Sequence, residues 1–151
     1  MKRYFSFFVA FIVYSLLLVG CGNKSSNNSK ILECNSIISY DNSISEASYK
    51  IHFTDEKVDK LSLNINVTLN EPDDETRNNL ENDVNSGFAD YKNRNGVSYS
   101  SNIKDNGFVV KMDIDYAKLS EEDKVYINIV NSEKTYDEIK TELEKEGITC
   151  K

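Results

Sequence analysis

The segment Tyr49–Leu69, "YKIHFTDEKVDKLSLNINVTL", decides how this chain folds. Its second half carries the plainest pattern. Leu61, Leu63, Ile65, Val67 and Leu69 alternate with Ser62, Asn64, Asn66, Thr68 and, one step on, Asn70. Successive side chains of a strand point to opposite faces, so one face here is aliphatic and the other polar. That division belongs to an antiparallel sheet covered on one side only. Ser48–Thr54 behaves likewise, with Tyr49, Ile51 and Phe53 on one face and Lys50 and His52 on the other, and "DEK" turns the chain between the two runs.

The flanking sequence extends the sheet. "ILECNSIIS", Ile31–Ser39, reads as a first strand that carries Cys34. After Leu69, "EPDDE" stops the strand and opens a helix: Asp73 or Asp74 caps it and Glu75 suits the positive end of its dipole. Leu80, Val84, Phe88 and Tyr91 make one apolar stripe, and Asn95-Gly96 ends the helix. Val97–Ile103 is a fourth strand with Tyr99 inward. Asp105-Asn106-Gly107 is a hairpin signal, followed by a fifth strand with Phe108, Val110, Met112, Ile114 and Tyr116 inward and Lys111, Asp113 and Asp115 outward. Ser120 with Asp123 caps a short turn over Glu121–Tyr126. Thr135 and Glu138 form a capping box for a last helix, with Tyr136, Ile139 and Leu143 inward and Gly147 as its stop. The expected fold is α+β: an antiparallel sheet of about five strands with two main helices on one face, in the order β-β-β-α-β-β-α. Residues 31–151 make one domain.

The N-terminus is of another kind. Lys2 and Arg3 precede sixteen mostly apolar residues, Tyr4–Val19, in the pattern of a secretory signal. A spanning helix usually takes ~20 apolar residues, so this run is short for a permanent anchor, although a retained signal-anchor is the alternative. Leu18-Val19-Gly20-Cys21 resembles the lipobox of bacterial lipoproteins. That resemblance implies cleavage between Gly20 and Cys21 and a diacylglyceryl group on the Cys21 sulfur. The alternative is a plain secretory signal with Cys21 left as a free thiol. Two acyl chains at ~0.8 kcal/mol per buried CH₂ hold a protein on a membrane stably, where one does not. Gly22–Lys30, "GNKSSNNSK", is a polar tether, so residues 1–20 are signal and 21–30 are the lipidated cysteine and its linker. The expected location is the extracytoplasmic face of a bacterial membrane.

With Cys21 assigned to lipid, Cys34 and Cys150 allow one pairing. Outside the cytoplasm a disulfide is the default. It closes a loop of 116 residues and requires the first strand to lie beside the C-terminal residues. The alternative, two reactive or metal-binding thiols, has no CxxC, and His52 is the only histidine.

The whole chain carries a net charge of −7, from 18 Lys and Arg against 25 Asp and Glu. Residues 31–151 keep all 25 acids but only 14 of the bases, a net −11. A domain this acidic is not expected to bind nucleic acid or anionic lipid over a broad face.

The lipobox signal, the Cys34 strand, the Tyr49–Leu69 hairpin, "DIDYAKLSEEDK" and the ending "TYDEIKTELEKEGITCK" together resemble the small YehR-like bacterial lipoproteins. That family's domain has no known function. The resemblance implies an α+β domain held outside the cytoplasm and brings no catalytic residues with it.

His52 stands on a polar strand face with no serine, cysteine or carboxylate fixed beside it by spacing. Glu71, Asp73, Asp74 and Glu75 lack the spacing and glycine of a calcium loop, and capping accounts for them. Asp113 and Asp115 are an i, i+2 pair, a pattern that meets glycosidase spacing almost anywhere. No Gly-rich phosphate loop, GxSxG elbow or zinc spacing occurs, and no cofactor or metal is expected. The exposed feature that stands out is the polar face around Asn64, Asn66 and Thr68, able to hydrogen-bond glycan or peptide, against which a simply solvated face is the plain alternative. The expected role is a non-enzymatic binding or structural module of the cell envelope, meeting an envelope protein or a small ligand. The alternative is an envelope enzyme that uses carboxylates on a glycan.

Overall fold

The computed structural model describes residues 29–127 and 129–151. The signal segment 1–20, the Gly20–Cys21 junction and tether residues 21–28 lie outside the described residues. Six strands form one sheet: β1 (Lys30–Tyr40), β2 (Ser43–Thr54), β3 (Lys57–Leu69), β4 (Val97–Lys104), β5 (Gly107–Asp115) and β6 (Thr149–Cys150). Their order is β4-β5-β3-β2-β1-β6, and every pairing is antiparallel. The helices are α1 (Asp74–Gly87), α2 (Ala89–Lys92), α3 (Glu121–Tyr126) and α4 (Tyr136–Lys145), with a 3₁₀ turn at Tyr116–Lys118. The class is α+β as expected, but the sheet has six strands, not about five. The addition is β6, two residues long, too short to show any period in sequence. Among the described residues no helix is long and apolar enough to cross a membrane.

The strand faces divide as the alternation requires. Tyr49, Ile51 and Phe53 of β2, Leu61, Leu63, Ile65 and Val67 of β3, and Phe108, Val110, Met112 and Ile114 of β5 are buried in one core. Leu80 and Val84 of α1 and Ile139 and Leu143 of α4 enter the same core. The Phe53 and Tyr136 rings, 5.4 Å apart, join β2 to the start of α4, and the Phe88 and Tyr99 rings, 5.6 Å apart, join the end of α1 to β4.

Local departures have local causes. The Leu80–Tyr91 stripe is buried throughout, but it is carried by two helices, because Phe88 leaves helical geometry at φ −113°, ψ 10°. A bulge near Asp59 shifts the β2–β3 register, pairing His52 with Lys60 and Phe53 with Val58. The extra residue lets Val58 and Leu61, three apart, both point into the core. The β2–β3 turn places Asp55 and Glu56 at φ 52° and 67°, left-handed positions that non-glycine residues seldom occupy.

The helix starts follow the sequence. The Thr76 N–H donates to Asp73 (2.7 Å), the Asp123 N–H to Ser120 (3.1 Å) and the Thr135 N–H to Glu138 (2.9 Å). Gly147, at φ 81°, follows α4 and lets the Ile148 N–H return to the Leu143 carbonyl. β6 then pairs with β1, with Cys150 opposite Cys34 and the sulfurs at bonding distance, 2.06 Å.

Tyr116 fixes the region beyond β5 by donating its hydroxyl to the Val130 carbonyl (3.0 Å). Burial holds the Tyr116 phenol well above its ordinary range, and it raises Tyr49 and Tyr91 in the same direction. A phenol that ionises at higher pH folded than unfolded gives stability that is full below ~10 and is lost as pH rises above it. We therefore expect tyrosinate absorbance to rise above pH ~10 in step with loss of the circular dichroism signal. A smooth titration of every tyrosine with the fold intact would contradict this.

Candidate functional site on the outer sheet face

The face of the sheet opposite the core is built in rows, one residue per strand, set by register. Strands lie ~4.8 Å apart, so each row is a line of side chains at that spacing. One row runs Glu33–Lys50–Ser62–Asp113–Ser98. The next runs Asn35–Ser48–Asn64–Lys111–Ser100, and the one after it Ile37–Glu46–Asn66–Val109–Asn102.

These rows differ in how far they satisfy themselves. In the first, Lys50 pairs with Glu33 (3.3 Å) and Ser62 donates to Asp113 (2.5 Å). In the third, Asn66 donates to Glu46 (3.0 Å) and accepts from Lys104 (3.3 Å). Between them, Asn35, Ser48, Asn64 and Lys111 make no side-chain hydrogen bond to any described residue. An open groove of about 420 Å³ lies over this middle row and the Glu33–Asp113 row, with Lys151 at its β6 side. Lys50, Lys111 and Lys151 face it against Glu33 and Asp113, so the groove is locally less acidic than the domain around it.

Of the polar positions read from sequence, Asn64 lines the groove. Asn66 is already bonded on both sides, and Thr68 lies nearer the hairpin end, between Ile44 and Gly107. The partners that complete the row, Asn35, Ser48 and Lys111, come from three other strands. Parity alone assigns each of them to the outer face, but only the strand order sets them side by side.

The acid–base suspects are dispersed. His52 is on the outer face between Ile31 and Lys60 in register, and its imidazole has no hydrogen bond to a described residue. Asp113 is held by Ser62, whereas Asp115 pairs with Lys118 at 2.9 Å. The hydrogen bond from Lys118 keeps the Asp115 carboxyl below the ordinary range, so it is an anion rather than a proton donor near neutrality. Glu33 and Asp113 share the groove, yet three strand spacings, ~14 Å, separate their backbones. Asp73 caps α1 and Asp74 pairs with Arg77 (2.9 Å). Among the described residues no group of three or more His, Cys, Asp or Glu is placed to hold a metal ion.

No family model and no curated protein matches the chain. The fold is similar to an NMR structure of a protein from Streptococcus pneumoniae TIGR4, with a TM-score of 0.56 and 12% identity over 90% of this chain and 93% of that one. At that identity the likeness speaks of fold alone.

Proposed function

We propose that this protein is a lipid-anchored lipoprotein of the bacterial cell envelope, of the YehR-like kind, whose domain is a non-enzymatic binding module. Residues 1–20 direct export and are removed, Cys21 carries the diacylglyceryl anchor, and residues 22–30 tether the domain outside the cytoplasm. The lipobox pattern at Leu18–Cys21 supports the location. The observation that carries the binding role is the uncommitted row Asn35–Ser48–Asn64–Lys111, lying between two rows that satisfy their own hydrogen bonds. Such a row offers a ligand amide, hydroxyl and ammonium groups without breaking any contact of the fold.

A photo-crosslinking residue at position 64 tests this in intact cells. The expected result is one reproducible envelope adduct that Lys111→Ala weakens. A hydrogen bond to a charged group contributes ~1.5–3 kcal/mol, so the weakening is ~10-fold or more. No adduct from position 64, or an equal yield from a crosslinker at Glu56 in the β2–β3 turn, contradicts the assignment.

A further inference from the structure

The chain contains two Asn-Gly pairs, Asn95-Gly96 and Asn106-Gly107, and the fold treats them differently. In such a pair the glycine nitrogen can attack the asparagine side-chain amide with no side chain in its way. The attack requires the peptide between the two residues to rotate. At Asn106-Gly107 that rotation disturbs the sheet. The Asn106 carbonyl accepts from the Leu69 N–H (2.7 Å), and Gly107 is paired with Lys104 on one side and Thr68 on the other. Gly107 is also buried, with the Val67 carbonyl against its Cα. Asn95-Gly96 has no such ties. The Val97 N–H donates to the Arg94 carbonyl (3.1 Å) and closes a turn over the pair, and Gly96 at φ 87° after an Asn95 of negative φ is the type II pattern. The Asn95 carbonyl, the Gly96 N–H and the Asn95 side chain make no hydrogen bond to a described residue. The fixed points lie outside that peptide, at the Arg94–Val97 bond and at the Gly96 carbonyl, which accepts from the Asp115 N–H (2.8 Å). Asn95 is exposed, so water reaches its side chain.

We propose that Asn95 is a site of spontaneous covalent modification, deamidating in the folded protein while the fold protects Asn106. The Gly96 nitrogen gives up its proton and bonds to the side-chain carbonyl carbon of Asn95. The carbon–nitrogen bond of that amide breaks, ammonia leaves, and a five-membered succinimide closes. Water then opens the ring at one carbonyl or the other, leaving either an aspartate at position 95 or an isoaspartyl link to Gly96. No oxidant or reductant takes part. Both products place a carboxylate next to Arg94, the partner of Asp123, and add a negative charge to a domain already at net −11. The isoaspartyl product also lengthens the backbone by one carbon within the turn that brings β4 (Val97–Lys104) alongside β5. This site is separate from the ligand row and does not depend on it.

The test uses the full chain, purified in detergent with its disulfide intact and incubated in mildly alkaline buffer. Mass spectrometry of its peptides follows the replacement of each amide by a carboxylate. In the folded protein Asn95 should convert to aspartyl and isoaspartyl forms. Asn106 should convert at least ~10-fold more slowly, because its bond to Leu69 and its strand pairs must open first. In urea the two sites should convert at similar rates, which assigns the difference to the fold rather than to neighbouring residues. Equal rates at the two sites in the folded protein, or no conversion at Asn95 there, would each overturn the inference.

Discussion

Removing the Cys34–Cys150 bridge should lower the free energy of unfolding by about 4–5 kcal/mol, a large part of what holds a domain of this size together. The bond closes a loop of 116 residues, so most of the unfolded chain is constrained by it. Its native role is also local. Cys34 is buried, and β6 is a two-residue strand that meets the sheet only at β1. Without the bridge, two backbone pairs must hold the chain end in place, and β6 should fray first. A urea titration of the oxidised protein against a Cys34→Ala, Cys150→Ala variant measures the effect. At ~1–3 kcal/mol per molar urea, the midpoint should fall by about 2 M. An unchanged midpoint would mean that the bridge constrains little.

Gly107→Ala should be comparably severe, at ~3 kcal/mol or more, for a different reason. A Cβ at position 107 would stand 1.9 Å from the Val67 carbonyl oxygen, and that atom belongs to the backbone of the central strand β3. No rotamer relieves such a contact, so β5 must move away from β3 or the β4–β5 hairpin must distort. Both responses open the core at Phe108, which follows Gly107 directly on β5, and at Val110 two residues further on, both of them buried. Thermal melts of wild type and variant decide the matter, and a melting temperature within a degree of wild type would contradict the close approach.

The same glycine shows what sequence can and cannot convey. Asp105-Asn106-Gly107 correctly marks a hairpin, but Gly107 opens β5 and is needed for its closeness to β3, not for a left-handed turn. The left-handed pair occurs instead at Asp55-Glu56, where no glycine announces it. Where burial repeats with period two, as in β3, the sequence reads directly into the sheet. The stripe from Leu80 to Tyr91 is legible as a buried face, but the break at Phe88 is not, because both helices bury the same stripe. Asp41-Asn42 is turn-forming in composition, but the early start of β2 at Ser43 is masked, because its buried positions are the small Ser43, Ser45 and Ala47 rather than large apolar residues. Lys134 is buried against Glu142 in an ion pair just ahead of α4, outside any periodic run that would mark it. The ligand row is half legible: Asn64 stands out within its own strand, while Lys111 joins it only because β5, not β4, lies beside β3.

The disulfide reading began from the assignment of Cys21 to lipid, which left Cys34 and Cys150 as a pair. Metabolic labelling of the expressing bacterium with an alkyne-bearing palmitate tests that starting point most directly. Wild type should run as a labelled protein lacking residues 1–20, while Cys21→Ala should be unlabelled and remain at precursor length. Label on the Cys21→Ala variant, or wild type that keeps residues 1–20 and takes up no label, would contradict the account.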